Sequence, residues 1–317
     1  MFIKSIDIGG VVGVDISLVV IGRNDEAKLR AIYEDDEYFN CTTNNFFELI
    51  YVDSCSSDGS LEYMISKGFK GLTLAPDSFK CASAGRRIGA ENSNGKYIIF
   101  LDSDMKLNGF NELTEEVASL NSFYVGLVGK VTDIYPNGTR RERVRKTSNG
   151  EAKSFGGFVI FNKEFLIRSG NWNNLIPANE ELELHTRIKK FNGRVKMSSV
   201  LEVEHYTDVS NPLKELLSLY IPTRINRYGA FGYVMRAAFS SNSFKELIKL
   251  SPEFFVFIFL VIFSSVLSFT EYFELIIPAL IVYLYYVYQR RSLKYVVVPP
   301  GIMISCIYGL FKYKSMK

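Results

Sequence analysis

The feature that most limits how this chain can fold is a repeated unit: a short apolar run that stops abruptly at a polar or acidic cluster. Ile16 to Ile21 (ISLVVI) runs into Gly22-Arg23-Asn24, Phe47 to Val52 (FELIYV) into Asp53-Ser54, and Tyr97 to Leu101 (YIIFL) into Asp102-Ser103-Asp104. Continuous runs of this kind, rich in β-branched residues, suit a parallel sheet buried on both faces. Between them lie helical stretches. One contains Leu29 and Ile32 and has an acidic first turn, one follows the turn Ser57-Asp58-Gly59-Ser60, and one covers Ser83 to Ser93. Leu72 to Leu74 reads as a further short strand. This β-α-β-α-β rhythm predicts an α/β fold with an open, doubly wound, mostly parallel sheet and helices on both faces. Ligands of such sheets bind beyond the carboxyl ends of the strands, so three polar strand ends converge on one edge. Later, Phe158 to Phe161 and Val200 to Val203 read as strands and Glu180 to Phe191 as a helix.

Composition matters chiefly through a break. Charges are spread through the chain up to about residue 250, whereas Phe254 to Phe269 has none. The formal net charge of +3 gives no reason to expect a nucleic-acid partner. The four cysteines, Cys41, Cys55, Cys81 and Cys306, form no CxxC pair, which fits reduced thiols better than a disulfide framework or a zinc site. The start of the chain lacks the pattern of a cleaved signal peptide.

Asp102 and Asp104 are the residues with the clearest chemistry. The pair is expected to divide its work, one carboxylate ligating a divalent cation while the other holds sugar or ribose hydroxyls. A hard cation with oxygen ligands suits a diphosphate, whose departure it would favour by offsetting charge. The plain alternative is that a strand ends in Asp because Asp favours turns. Thr139 to Lys146 (TRRERVRK) follows the turn Pro136-Asn137-Gly138 and reads as a solvated hairpin. Its other reading is a cationic flap, in which Arg140 to Lys146 contact phosphate or acidic lipid.

Taken together, VVIGRNDE, LIYVDSCSSDGS, SAGRRIGAENSNGKYIIFLDSDM, GGFVIFNKE and ANEELELHTRIKK resemble family 2 glycosyltransferases of the GT-A fold, in the family's order and spacing from about Asp15 to Asp208. The resemblance implies a nucleotide-sugar donor of UDP or GDP type, with Ile21, Gly22, Glu26 and Asp53 around base and ribose. It also places Arg86 and Asp102 on the donor, and Asp104 and His205 on Mg2+ or Mn2+. Arg86-Arg87-Ile88-Gly89 looks like the family's Arg-Asn-x-Gly, with Arg87 in place of the usual Asn. The acid pair Glu180-Glu181, followed by Arg187, corresponds to the family's catalytic segment, with Glu181 as the general base where an Asp is more common. The positive end of a helix dipole would keep such an acid ionised, ready to take the acceptor's proton in a single inverting displacement. Without the neighbouring segments these glutamates read as solvated helix caps. Gly156-Gly157 resembles the small-residue floor beneath the acceptor, beside Glu180, although a plain turn also explains it. His185 is assigned no role.

Three apolar blocks close the chain: Phe254 to Phe269, Leu275 to Tyr288 and Tyr295 to Phe311. The first two are short against the roughly 20 residues that span a bilayer. Lys245 and Lys249 before them and Arg290, Arg291 and Lys294 after them predict a hairpin that returns to the cytosol. The third, interrupted by Pro299-Pro300-Gly301, reads as re-entrant or interfacial. Leu213 to Phe239 mixes apolar residues with Lys and Arg, as an interfacial helix does. The expected organisation is therefore a catalytic domain over residues 1–210, amphipathic interfacial helices over 211–250, and a transmembrane or re-entrant segment over 251–317. The expected activity is transfer of a sugar to a lipid-linked or growing saccharide in cell-envelope polysaccharide synthesis, at the cytoplasmic face of the cell membrane. The Gln-x-x-Arg-Trp signature of processive synthases does not occur. Arg227-Tyr228-Gly229 resembles relatives that add single sugars. Competing readings are a polyprenyl-phosphate glycosyltransferase, a nucleotidyltransferase, and a non-catalytic membrane protein that retains the fold.

Overall fold

The computed structural model describes residues 15–46, 48–143, 147–148, 150–152, 155–207 and 225–267, with positions 274, 277–278, 281 and 283–284 besides. The chain forms two compact units, Met1–Ser210 and Asn211–Lys317.

In the first unit the strands are β1 (Ile16–Gly22), β2 (Glu48–Asp53), β3 (Lys70–Thr73), β4 (Tyr97–Asp102), β5 (Met105–Asn108), β6 (Tyr124–Ile134), β7 (Arg140–Glu142), β8 (Thr147–Ser148), β9 (Glu151–Ala152), β10 (Val159–Asn162) and β11 (Arg194–Tyr206). Its helices are α1 (Glu26–Tyr33), α2 (Asp36–Asn45), α3 (Ser60–Ser66), α4 (Ala82–Asn92), α5 (Phe110–Ala118), α6 (Lys163–Arg168) and α7 (Glu180–Lys190). All strands join one sheet whose main order is β3-β2-β1-β4-β10-β6-β11-β9-β8, with β5 on β11 and β7 on β6.

The parallel part is as the apolar runs predict. β1 pairs in parallel with β2 and β4, and β2 with β3. Six of the seven β1 residues are buried, and the five apolar ones divide between two hydrophobic clusters. Leu18 and Val20 pack with Leu29 and Ile32 of α1, while Val19 and Ile21 share the other cluster with Ala84 of α4 and Leu184 of α7. Helices therefore cover both faces. The expectation of a mostly parallel sheet needs correction beyond β4, because β10 runs antiparallel to both β4 and β6. The sheet is mixed, and the turn of direction at β10 places Gly156 and Gly157, just before that strand, beside the end of β4.

In the second unit the described helices are α8 (Ile225–Ser240), α9 (Phe244–Leu250) and α10 (Pro252–Leu267). Arg227-Tyr228-Gly229 falls in α8, while the start of the expected interfacial stretch, 213–224, lies outside the described residues. The expected transmembrane segment is not supported: among the described residues no single helix is long and apolar enough to cross a membrane. The bent pair Phe244–Leu250 and Phe254–Val266, meeting at 96°, passes only in combination. α10 is apolar but too short to span alone. Most of the second apolar block and all of the third lie outside the described residues.

Candidate active site

The ends of β1, β2 and β4 meet as their register dictates. Gly22 lies opposite Asp53, and Ile21 opposite Asp102. The loops after them are stitched together: Asn24 N donates to Ser56 Oγ at 2.8 Å, Ser57 N donates to Asn24 Oδ1 at 2.8 Å, and Ser103 Oγ donates to Asp25 Oδ2 at 2.5 Å. A cleft of about 290 Å³ opens over them, lined among others by Ile21, Gly22, Lys80, Asp102 and Asp104. Gly22 has no room for a side chain, since a Cβ would lie 2.7 Å from Ser103 Cβ and 2.8 Å from the Tyr51 hydroxyl. A larger groove of about 540 Å³ lies at the other end of β4, lined by Lys96, Lys163 and Arg168 among others. Glu164 is its single carboxylate, so it offers no acid pair for the expected chemistry.

Arg86 of α4 does not itself line the cleft but lies buried behind Asp102, at the centre of an ion cluster. It is 2% exposed, stacks over the Trp172 ring at 5.0 Å, and donates from Nη2 to Asp102 Oδ1 at 2.7 Å and from Nη1 to Glu180 Oε1 at 2.6 Å. Glu181 Oε1 is 3.9 Å from the same Nη1. One guanidinium thus joins the acid that ends β4 to the acid pair that opens α7. Desolvation works against its charge, but Asp102, Glu180 and Glu181 more than offset that and raise its pKa. Three carboxylates around one cation leave an excess of negative charge. Burial and the adjacent Glu180 accordingly push the Glu181 carboxyl up to about 8, against the pull of Arg86. Burial and Glu180 thus work against the ionised form that the helix dipole favours. Burial also raises Asp102, despite Arg86 and with Asp104 adding to the rise.

Gly156 and Gly157 fill the space between these acids. A Cβ at Gly156 would stand 3.1 Å from Glu181 Oε1, and one at Gly157 would stand 3.2 Å from Asp102 Oδ2 and overlap the Met105 methyl. Gly157 has φ +69°, a left-handed conformation that favours glycine.

Asp104 faces a different set of groups. Tyr206 N donates to Asp104 O at 2.8 Å, and Met105 lies opposite His205 in the β5/β11 pairing, which brings His205 Nε2 to 3.5 Å from Asp104 Oδ2. Lys28 Nζ stands 3.8 Å from the same oxygen. Desolvation tends to raise Asp104, but His205 and Lys28 prevail and hold its carboxyl below its ordinary range. Its Oδ1 is buried without a hydrogen-bond partner among the described residues, as expected of an oxygen reserved for a ligand. Asp104 and His205 therefore fit a divalent cation as two protein ligands, with remaining positions left for diphosphate and water. Among the described residues no group of three His, Cys, Asp or Glu could hold an ion by itself.

Other expected site residues have protein partners. Glu26 accepts from Gly59 N at 2.9 Å and from Arg30 Nε at 2.8 Å, tying α1 to the loop before α3. Asp53 is 3% exposed and accepts from Ser56 N at 2.7 Å as well as from the Ser56 hydroxyl. Neither lines the cleft. Arg187 is occupied with Glu183 at 2.7 Å and with the Ser169 carbonyl at 2.6 Å. The basic segment forms a hairpin around the predicted turn: Arg140 reaches Glu204 at 2.6 Å, and Arg143 reaches Asp133 at 2.6 Å. Residues 144–146 lie outside the described residues. Lys28, Asp133 and Trp172 were not singled out from sequence. Lys28 sits one helical turn after the strand-end cluster, which is the one local signal available; Asp133 and Trp172 have none.

The sequence profile of the family described as Glycosyl transferase family 2 matches residues 17–181. No curated protein matches the chain in sequence. Among solved structures, the mannosyltransferase PcManGT from Pyrobaculum calidifontis, in complex with GDP-Man and Mn2+, is 12% identical with a TM-score of 0.57, over 95% of this chain and 88% of that one. S. aureus TarS 1–349 with UDP-GlcNAc is 16% identical with a TM-score of 0.54, over 75% and 72%. For S. aureus TarS 1–349 alone the identity is 14% and the TM-score 0.52, over 71% of this chain and 65% of that one. The chain thus spans just under two thirds of that TarS structure. At such identities the structural likeness establishes the fold, while the profile covers more than half of the chain and includes both acid pairs. On that ground the chain belongs to glycosyltransferase family 2 and carries its GT-A fold.

Proposed function

We propose that the protein moves a sugar from a nucleoside-diphosphate donor to a hydroxyl of a lipid-linked or growing saccharide in cell-envelope polysaccharide synthesis, with inversion at the anomeric carbon. The observation that carries this reading is the Arg86 bridge, which ties the donor-side acid Asp102, on the cleft, to the pair Glu180-Glu181 behind it. Ile21 and Gly22, with Asp53 behind them, frame the nucleoside end, where the glycine lets Ser103 and the Tyr51 hydroxyl close in on the β1 end. Asp102 takes donor hydroxyls. Asp104 and His205 would hold Mg2+ or Mn2+, which when bound supplies the positive charge that eases departure of the diphosphate.

Glu181 is the base. It accepts the proton of the acceptor hydroxyl as that oxygen bonds to the anomeric carbon and the bond from that carbon to the diphosphate oxygen breaks. Glu180, fixed by Arg86, keeps the first turn of α7 in place, and Gly156-Gly157 leave space for the acceptor. The ligands named for the neighbours, UDP-GlcNAc for TarS and GDP-Man with Mn2+ for PcManGT, support a donor of UDP or GDP type.

We also place the protein on the cytoplasmic face of the cell membrane. α10 exposes Val256, Phe259, Ile262 and Val266 at helical spacing, and Lys245 and Lys249 precede it on α9. An exposed apolar stripe of this kind, preceded by lysines, suits contact with a lipid surface. The test is transfer and donor hydrolysis with the full chain across UDP- and GDP-sugars, with Mg2+ or Mn2+, together with flotation on anionic liposomes. Turnover of one donor that is lost in Glu181→Gln supports the reading. Absence of turnover with every donor overturns it, and failure to float removes the membrane placement.

A further inference from the structure

His205 Nδ1 lies 2.7 Å from Asp133 Oδ1 and 2.7 Å from Arg143 Nη2. A neutral imidazole nitrogen carries either a proton or a lone pair, so only one of these contacts is a hydrogen bond at a time. With the proton on Nδ1, His205 donates to Asp133 and the lone pair sits on Nε2, the nitrogen on the Asp104 side. With the proton on Nε2, Nδ1 accepts from Arg143 and Nε2 has nothing to offer a cation. Backbone pairing favours the first arrangement. Asp133 lies directly opposite His205 in the parallel β6/β11 ladder, whereas Arg143 stands just beyond the edge strand β7, with its side chain 41% exposed. Arg143 is itself committed to Asp133, through Nε at 2.9 and 3.0 Å from the two carboxylate oxygens and Nη2 at 2.6 Å from Oδ1. That grip on both oxygens prevents the carboxylate from turning away from the ring.

We propose that Asp133 is the positioning residue of the cation site, holding the His205 proton on Nδ1 so that the Nε2 lone pair joins Asp104 in ligating a divalent ion. The inference rests on the cation reading above and adds to it a residue that touches neither ion nor donor. Carboxylates behind metal-bound histidines fix the ring and raise its basicity, and their loss typically costs about 10–100-fold in metal affinity.

The chain has two histidines, His185 and His205, so 15N-labelled histidine gives two ring systems, and His205→Gln assigns them. At alkaline pH the full wild-type chain should show the His205 proton on Nδ1, and Asp133→Ala should shift it toward Nε2. Asp133→Asn, whose side-chain oxygen can still accept from Nδ1, should retain the wild-type pattern. In parallel, Mn2+ binding in the presence of UDP or GDP is followed by water proton relaxation, with no turnover involved. Asp133→Ala should weaken Mn2+ by about 10–100-fold, Asp133→Asn less, and Asp104→Ala most. Wild-type affinity in Asp133→Ala alongside lost affinity in Asp104→Ala refutes the role of Asp133 and leaves the cation reading standing. Wild-type affinity in Asp104→Ala removes the cation site itself. A His205 proton found on Nε2 in the wild type overturns the proposal directly.

Discussion

Asp102 and Asp104 lie two residues apart, yet they serve regions of opposite character. On the Asp102 side, three carboxylates surround one buried guanidinium, and acid is in excess. On the Asp104 side, Lys28 (shared with Asp25), His205 and Arg143 give Asp104 and Asp133 a basic neighbour each. The titration of each group follows from these balances: Glu181 and Asp102 are raised, whereas Asp104 and Asp133 are lowered despite their own desolvation. In a continuous strand residues i and i+2 would share a face; the two acids part because Asp102 ends β4 whereas Asp104 lies in the turn that leads into β5. An acid-rich cluster produces a carboxylate that wants a proton, as a base does. A corner that gives each acid a basic neighbour produces carboxylates that stay ionised, as ligands do.

The largest test of that contrast is Glu181→Gln. Removing a general base typically lowers the rate by about 10²–10⁴-fold, and transfer should fall in that range while the chain stays folded. The pH dependence sharpens the assignment. Because Glu181 must lose its proton to act, kcat/KM of the wild type should rise with pH through about 8. Stability should move the other way. Between the ordinary 4.5 of a glutamate and about 8 the folded chain holds a proton that the unfolded chain has released, so stability falls as pH rises through that window. Glu181→Gln should flatten this slope in urea unfolding. An unchanged slope would mean that the proton resides elsewhere in the cluster.

The next effect in size concerns folding. Arg86→Met leaves Glu180 and Asp102 without their shared cation, and removal of one partner from a buried ion pair costs about 3–5 kcal/mol. Asp104→Asn should cost less, because Oδ1 has no hydrogen bond to lose among the described residues and Oδ2 has only the longer, part-exposed contacts with His205 at 3.5 Å and Lys28 at 3.8 Å. Urea unfolding of the two variants compares the regions directly. Equal losses would show that the corner is as structural as the cluster.

What was legible in sequence follows the same division between local and distant partners. β1, β2 and β4 could be read because strands buried on both faces are written as unbroken apolar runs. The acids at their ends and at the start of α7 were visible as motifs. The direction of β10 was not, since the apolar run VIF fits a parallel or an antiparallel neighbour equally well. β6 was hidden by Gly126, Gly129 and Lys130 within its eleven residues, and α2 by its polar composition. The pairing of His205 with Asp133 joins residues 72 apart and exists only once β6 and β11 are side by side. For Glu181 the local signal pointed the wrong way. A helix start favours the anion, but burial beside Glu180 is the stronger effect, and only the packed structure reveals it.

The smallest effect separates the two glycines between the acid cluster and the end of β4. Gly157→Ala places a Cβ on a left-handed backbone, a cost of about 1–2 kcal/mol, and it also presses on Met105 and Asp102. Gly156 lacks the positive φ, and its new methyl would meet only the Glu181 carboxylate, at 3.1 Å. Gly156→Ala should therefore keep nearly wild-type stability and lose transfer by crowding the base, whereas Gly157→Ala loses stability first. Urea midpoints and transfer rates measured on both variants decide the matter. If the two lose stability equally, the left-handed turn at Gly157 is not what holds β10 against the acid cluster, and the glycines act as a single spacer.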